Sequence, residues 1–151
     1  MRILKDILYK VAIESVTGST EIAINQLNFD SRKVEKNDAF IAIRGTISDG
    51  HDFIEKAISL GATAVICDTL PENLINGVTY VCVKDTNAAL AFMAANYFDN
   101  PSQKLKLVGI TGTNGKTTIA SLLYQLFKKA GFKVGLLSTV KILVDDIEYK
   151  A

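Results

Sequence analysis

The stretch that decides the fold is VGITGTNGKTT, residues 108–118. An apolar strand pattern over residues 105–111 leads into it, and a helical pattern follows from about Lys116. Small residues in such a turn let backbone N–H groups converge on an anion, and the helix N-terminus adds its unpaired donors. The pattern predicts a strand, a turn and a helix that together cradle the phosphates of a nucleotide.

The predicted phosphate-binding loop consists of Gly112, Thr113, Asn114, Gly115, Lys116, Thr117 and Thr118. Lys116 can reach the β- and γ-phosphates of ATP, and the Thr117 hydroxyl is placed to ligate Mg²⁺. The loop is shorter than the commonest Walker pattern, which has a glycine where this chain has Ile110. The alternative is a plain strand-to-helix turn with a surface lysine. The flanking strand and the amphipathic helix together favour the phosphate loop.

The chain after the loop completes one βαβ pattern over residues 105–140. A strand is predicted over residues 133–140, and residues 141–151 could begin a hairpin. A single βαβ unit cannot close its own sheet, so we expect residues 104–151 to be the truncated start of a larger ATP-binding domain. The helix between the two strands has one apolar face, formed by Ile119, Leu122, Leu123, Leu126, Phe127 and Ala130.

The chain before the loop alternates short strands and helices up to a polar linker at residues 99–104, which contains Pro101. Strands are predicted at 27–29, 39–43, 63–67 and 78–83; the last two are continuous apolar runs, typical of a parallel sheet. Asp85 or Thr86 can cap a helix whose predicted apolar stripe is Leu90, Ala91, Ala94, Ala95 and Phe98. The predicted fold class is α/β: a small N-terminal α/β domain, 1–100, followed by the first βαβ unit of a P-loop, Rossmann-like ATPase domain.

Composition excludes several classes of protein. Of the 151 residues 48% are hydrophobic, which excludes a mainly disordered chain. Lys and Arg number 17 against 16 for Asp and Glu, so there is no basic excess to bind nucleic acid or an anionic membrane. No apolar run is long enough to span a bilayer. Cys67 and Cys82 lie in apolar runs and are predicted to be buried thiols, as expected in a reducing cytoplasm.

Residues 112–118 resemble the ATP loop of the Mur ligase superfamily, the ATP-dependent amide-forming ligases of peptidoglycan synthesis and their folylpolyglutamate synthetase relatives. The ending Gly-Lys-Thr-Thr favours the Mur branch, and Asn114 is similar to MurE ligases rather than MurF ligases. Four stretches of the first half resemble the N-terminal domain that MurE and MurF ligases share, in the same order and spacing: FDSRKV (29–34), DAFIAIRG (38–45), DGHDFI (49–54) and GATAVI (61–66).

The resemblance implies a MurE-type ligase that adds the third amino acid to UDP-N-acetylmuramoyl-L-alanyl-D-glutamate through an acyl phosphate. It implies ATP as co-substrate and Mg²⁺ as cofactor, with the nucleotide-sugar peptide and an amino acid as partners. Nucleic acid and membranes are not expected as partners, and a monomer is expected. Because the remaining machinery would lie after residue 151, this piece is expected to be inactive alone.

The resemblance also implies which residues act. Lys116 is the catalytic residue, and the uridine end of the substrate would contact Phe29, Ser31, Thr46, Ile47 and Ser48. Asp30 and Arg32 could either have a role in the site or form an internal ion pair that stabilises their turn. His51, the only histidine, is expected to lie in a capping region rather than to act as a base.

Three alternatives stay open. A MurF-type ligase would add D-Ala-D-Ala, a stand-alone P-loop module would bind nucleotide without ligase chemistry, and a small kinase would transfer phosphate to a metabolite. The module and the kinase both leave residues 30–32 and 49–51 without a purpose.

Overall fold

The computed structural model describes residues 1–46, 48–145 and 147–150. The chain divides into two compact units, Met1–Leu105 and Lys106–Ala151. The first unit is a mixed α/β fold around a largely parallel sheet, which confirms the α/β class predicted for the N-terminal domain. None of the helices in the described ranges has the length and apolar character needed to cross a membrane.

The first unit begins with short elements and continues into strands and helices that alternate. In chain order its described residues form β1 (Arg2–Ile3), α1 (Leu4–Ile7), β2 (Ile13–Thr17), β3 (Ala23–Ile24), β4 (Leu27–Asn28), β5 (Ala39–Ile41), α2 (Ile54–Ser59), β6 (Ala64–Cys67), β7 (Thr79–Val83) and α3 (Thr86–Tyr97). Short 3₁₀ helices lie at Ser31–Lys33, Gly50–Phe53 and Pro101–Lys104.

The main sheet has the strand order β2-β7-β6-β5-β4, in which β4 to β7 are parallel and β2 is an antiparallel edge strand. Every residue of β6 and β7 is buried, because apolar side chains cover both faces of the sheet. Cys67 and Cys82 are both buried free thiols, as predicted. Burial raises the pKa of the Cys67 thiol to about 12.

Helix α3 begins as predicted but turns a different face to the core. The Asp85 carboxylate caps it by accepting hydrogen bonds from the backbone N–H groups of Asn87 and Ala88. The predicted stripe is only partly right: Leu90 packs against the core, whereas Ala91 and Phe98 are exposed. The helix is apolar on almost every side, so periodicity alone does not select the buried face. The buried residues of the helix are Thr86, Ala89 and Met93.

The second unit consists of one helix followed by an antiparallel sheet. Its elements are α4 (Lys116–Lys129), β8 (Gly135–Leu137), β9 (Lys141–Val144) and β10 (Ile147–Lys150), with the strand order β10-β9-β8. The hairpin predicted after residue 140 is present, and β9 pairs with β8. The strand predicted over 133–140 is limited to the three residues of β8.

The strand predicted over 105–111 is wrong, because these residues form no ladder with a neighbour in the described structure. Leu107 and Val108 are 71% and 63% exposed. A parallel strand of this type needs neighbours and cover on both faces, which this small unit does not supply. The βαβ unit is therefore not closed. A cavity of about 660 Å³ instead lies between this segment, α4 and β8, with mainly apolar walls that include Leu123, Phe127 and Leu136.

Candidate functional site

The carboxyl ends of β4, β5 and β6 lie at one edge of the parallel sheet of the first unit. Three segments follow these strands: residues 29–33, 44–49 and 68–69. Open α/β sheets bind ligands at the carboxyl ends of their strands, so this edge is the candidate site. Because β4 and β5 are neighbours, the predicted binding residues Ser31 and Thr46 follow adjacent strands.

The segment after β4 contains an ion pair between Asp30 and Arg32. Arg32 donates from Nε and Nη2 to the Asp30 carboxylate at 2.9 and 2.8 Å, and its backbone N–H donates to the same group at 3.1 Å. These bonds lower the pKa of Asp30 to about 2. Asp30 and Arg32 thus form the internal ion pair. Ser31 between them is buried, whereas Phe29 is 64% exposed and presents an apolar face to solvent.

The segment after β5 carries the other predicted substrate residues. Thr46 and Ser48 are exposed, and the Ser48 carbonyl accepts a hydrogen bond of 2.9 Å from the Gly45 N–H. Ile47 lies outside the described residues. This part of the chain therefore presents a short turn with exposed hydroxyl groups at the sheet edge.

Gly50 directly follows the segment 44–49 and contacts Ile43, the residue that directly precedes that segment. Its N–H donates to the Ile43 carbonyl at 2.8 Å, which brings the two backbones into direct contact. A Cβ atom on Gly50 would lie 2.6 Å from the Ile43 nitrogen, closer than real Cβ contacts allow. The position therefore requires glycine for steric reasons.

Arg44 joins the segment after β5 to the end of β6. Its guanidinium donates to Asp68 from Nη2 at 2.8 Å and from Nε at 3.0 Å, and to Asp49 from Nη1 at 2.8 Å. Nη2 also donates to the Thr69 hydroxyl at 3.1 Å. The hydrogen bond from Arg44 is the main cause that lowers the pKa of Asp68. One planar cation thus connects carboxylates that follow two different strands.

His51 lies between the same two carboxylates, and its side chain is 13% exposed. Its Nδ1 is 2.6 Å from Asp49 Oδ1, and the Asp68 backbone N–H donates to Nε2 at 3.3 Å. Asp49 caps the 3₁₀ helix by accepting from the His51 backbone N–H at 3.0 Å, the main cause of its lowered pKa. The expected capping-region position of His51 is confirmed.

Sequence reasoning did not single out Arg44 or Asp68. Asp68 does carry a signal, because it directly follows the buried strand β6, where a charged residue at the carboxyl end faces the usual ligand site. Arg44 carries no comparable signal, since its partners are 5 to 25 residues away in sequence.

The glycine-rich loop of the second unit has the backbone geometry that its composition predicts. Gly112 and Gly115 have φ values of 145° and 78°, a region that favours glycine. Helix α4 begins at Lys116, and its N-cap Gly115 makes no side-chain capping bond. The N–H groups of the first turn are therefore left for an external acceptor, and the helix dipole favours an anion there.

Lys116 and Thr117, the first two residues of α4, carry the polar side chains next to this loop. Lys116 donates from Nζ to the carbonyl oxygens of Gly112 at 2.5 Å and Thr113 at 3.1 Å. Thr117 is half-buried in the first helical turn. The described residues contain no group of three or more His, Cys, Asp or Glu side chains that could hold a metal ion. The Thr117 hydroxyl is nevertheless a hard oxygen donor, which fits Mg²⁺ held mainly by phosphate and water oxygens.

The comparisons with known proteins identify the family. The model of the Mur ligase family, catalytic domain, matches residues 23–98, and that of the Mur ligase middle domain matches residues 110–150. The chain belongs to the Mur ligase family.

Its sequence relatives are longer ligases. The UDP-N-acetylmuramoyl-L-alanyl-D-glutamate–2,6-diaminopimelate ligase of Cytophaga hutchinsonii is 54% identical over 144 residues, which cover 95% of this chain and 30% of that protein. The ligase of the same name from Bacteroides fragilis is 49% identical over 143 residues, with the same coverage. The chain thus spans about 30% of the length of these relatives.

Solved structures agree on the fold. A structure of a UDP-N-acetylmuramoyl-L-alanyl-D-glutamate–2,6-diaminopimelate ligase has a TM-score of 0.66 at 23% identity and covers 95% of this chain and 28% of that one. The MurF ligase from Thermotoga maritima in complex with ADP has a TM-score of 0.54 at 32% identity and covers 70% of this chain and 23% of that one.

Proposed function

We propose that this chain is part of an ATP-dependent ligase that joins the third amino acid to UDP-N-acetylmuramoyl-L-alanyl-D-glutamate. The observation that carries the proposal is the start of α4, where the uncapped helix N-terminus and Lys116 face the same glycine-rich loop. The names of the relatives at 54% and 49% identity support this reaction and favour 2,6-diaminopimelate as the incoming amino acid.

In this proposal the second unit binds ATP through residues 112–118. The D-glutamate carboxylate attacks the γ-phosphate, which gives an acyl phosphate and ADP, and the amine of the incoming amino acid then displaces phosphate to form the amide. Lys116 and the loop N–H groups stabilise the charge on the transferred phosphoryl group. Thr117 is the residue that would help to hold Mg²⁺, which would supply neutralisation of phosphate charge when bound.

The first unit holds the uridine diphosphate end of the substrate at the carboxyl edge of its sheet. Phe29 and Ser31 contact it from the segment after β4, and Thr46, Ile47 and Ser48 contact it from the segment after β5. The adjacency of β4 and β5 supports this assignment, as do the exposed ring of Phe29 and the exposed residues Thr46 and Ser48.

The alternatives are less well supported. The MurF structures are 29% to 32% identical over 70% of the chain, below the 54% and 49% of the diaminopimelate ligases from Cytophaga hutchinsonii and Bacteroides fragilis. A stand-alone P-loop module or a small kinase gives no reason for a family match over residues 23–98. We further propose a cytoplasmic protein without nucleic-acid or membrane partners, because its formal charge is only +1 and its cysteines are free thiols.

The test is ligation by the full-length protein that carries this chain. We expect a tripeptide product that requires ATP, UDP-N-acetylmuramoyl-L-alanyl-D-glutamate and 2,6-diaminopimelate, detected by mass spectrometry. Product formed only with D-Ala-D-Ala and a tripeptide substrate would establish the MurF alternative instead. ATP binding without ligation of any amino acid would leave only the nucleotide-binding module.

A further inference from the structure

Four charged or titratable side chains at the carboxyl edge have no role in the function proposed above. They are Arg44, Asp49, His51 and Asp68, which we name the edge network. Three of them lie on the segment after β5 or directly beyond it, and only Asp68 belongs to the end of the next strand, β6. Asp68 therefore lies outside the segment and contacts Arg44 and His51, and these two residues in turn contact Asp49.

We propose that Asp68 is a positioning residue that, through Arg44 and His51, holds residues 44–49 in the arrangement that receives the uridine diphosphate end of the substrate. This inference rests on the proposed function of that segment. Asp68 itself is not expected to touch the ligand, and its effect passes through Arg44 and His51.

The contacts tie the segment to Asp68 from both of its ends. At the start, Arg44 makes three hydrogen bonds to the Asp68 carboxylate, two from Nε and one from Nη2. At the far end, His51 accepts from the Asp68 backbone N–H while its Nδ1 lies against Asp49. A proton on Nδ1 suits two of the His51 contacts, because Nδ1 then donates to Asp49 and Nε2 accepts from the Asp68 backbone N–H. Nε2 also lies 3.2 Å from Asp68 Oδ1, so the Asp68 side chain faces His51 as well as Arg44.

Backbone pairing of Arg44 with Asp49 and the bond from Gly50 to Ile43 hold only the base of this segment. Thr46 and Ser48 are exposed, and the hydrogen bond from Gly45 to Ser48 spans only a few residues. An exposed segment loses conformational entropy when a ligand orders it, whereas a segment that is already held loses less. The edge network therefore favours binding without adding a contact to the ligand.

The first experiment measures binding of UDP to the 151-residue chain by isothermal titration calorimetry. We expect Asp68→Asn and Arg44→Gln each to weaken the affinity by about three- to tenfold, the range of a partly exposed ion pair. The double variant should lose less affinity than the sum of the two single losses, because both substitutions break the Arg44–Asp68 pair, although Arg44→Gln also removes the contact to Asp49. Glu21→Gln is the matched control, because it breaks an exposed ion pair with Lys5 that lies outside the edge network.

The second experiment separates positioning from loss of folding. Hydrogen exchange of the Gly45 N–H reports on the turn to Ser48, and exchange of the Ala42 N–H reports on its 2.8 Å bond to Ile66 in the sheet. In Asp68→Asn we expect faster exchange at Gly45 and unchanged exchange at Ala42. Faster exchange at both amides would show that Asp68 stabilises the whole unit, and the inference would be overturned.

The remaining outcomes of the two experiments also test the positioning role of Asp68. If Asp68→Asn binds UDP as tightly as the wild type, the positioning role is wrong and the proposed function stands. Fully additive losses in the double variant would likewise exclude action through Arg44. If the wild-type chain does not bind UDP, the uridine assignment of the first unit fails, and this inference fails with it.

Discussion

Lys116 folds back over its own loop, with Nζ donating to the Gly112 carbonyl oxygen at 2.5 Å. The cation therefore already lies over the loop that a phosphate would enter. A phosphate oxygen is a stronger acceptor for an ammonium group than a neutral carbonyl oxygen. Binding of ATP should therefore exchange the Gly112 contact for a phosphate contact without moving α4.

Lys116→Ala should abolish ligation by the full-length protein. The phosphoryl transition state loses its nearest fixed cation, so we expect kcat to fall by about a hundredfold or more. The measurement is steady-state product formation at saturating ATP. Lys129→Ala, at the exposed end of the same helix, is the matched control and should retain wild-type rates. Equal rates for wild type and Lys116→Ala would remove the assigned role.

Asp38 should prove essential for the stability of the first unit. Its carboxylate is fully buried and accepts hydrogen bonds from the side chains of Asn25 and Asn28 and the backbone N–H groups of Gln26 and Glu35. Removing it leaves buried donors without partners. We expect Asp38→Ala to lower the free energy of unfolding by about 2–4 kcal/mol, measured by urea denaturation.

The control for Asp38 is Glu21→Gln, which removes a carboxylate from the surface and should change the unfolding free energy far less than Asp38→Ala does. Equal effects of the two substitutions would contradict the role of the buried carboxylate.

Apolar runs predicted buried strands well where the sequence also supplied their neighbours. Residues 63–67 and 78–83 became β6 and β7, which lie next to each other in the sheet. Residues 105–111 have the same apolar pattern but form no ladder. An apolar run indicates that a segment tends to be buried, but it does not specify which strands will pair with that segment. Strand β2, exposed at every position, gave no apolar pattern to detect.

The residues of the candidate sites were also predictable only where their features are local in the sequence. Residues 112–118 were recognisable because glycine positions and a helix start are local features, and the positive φ values of Gly112 and Gly115 follow from them. Asp38 and Asp68 were not recognised as important, since their partners lie up to 13 and 24 residues away in sequence. Only the pairing of the strands shows which residues they meet.

Asp30 should titrate well below an ordinary aspartate. Arg32 holds its pKa at about 2, against an ordinary value of 3.8. Because the pKa is lower in the folded state, the contribution to stability is present above about pH 4 and is lost as the pH falls through about 2. NMR titration of the Asp30 carboxyl group measures this directly.

The control variant for Asp30 is Arg32→Gln. It removes the guanidinium but keeps the backbone N–H, so the pKa of Asp30 should rise and still remain below 3.8. A pKa that does not change in Arg32→Gln would show that the ion pair is not formed in solution.

A fragment of residues 1–105 should fold alone and carry the uridine site. The first unit ends at Leu105, and its two apolar clusters are formed entirely by residues before that position. The measurement is NMR titration of the fragment with UDP. We expect dispersed spectra and shifts concentrated at Ser31 and residues 46–48, because these positions follow the adjacent strands β4 and β5. An unfolded spectrum would contradict the independent unit, whereas a folded fragment with shifts elsewhere would contradict only the assignment of the site.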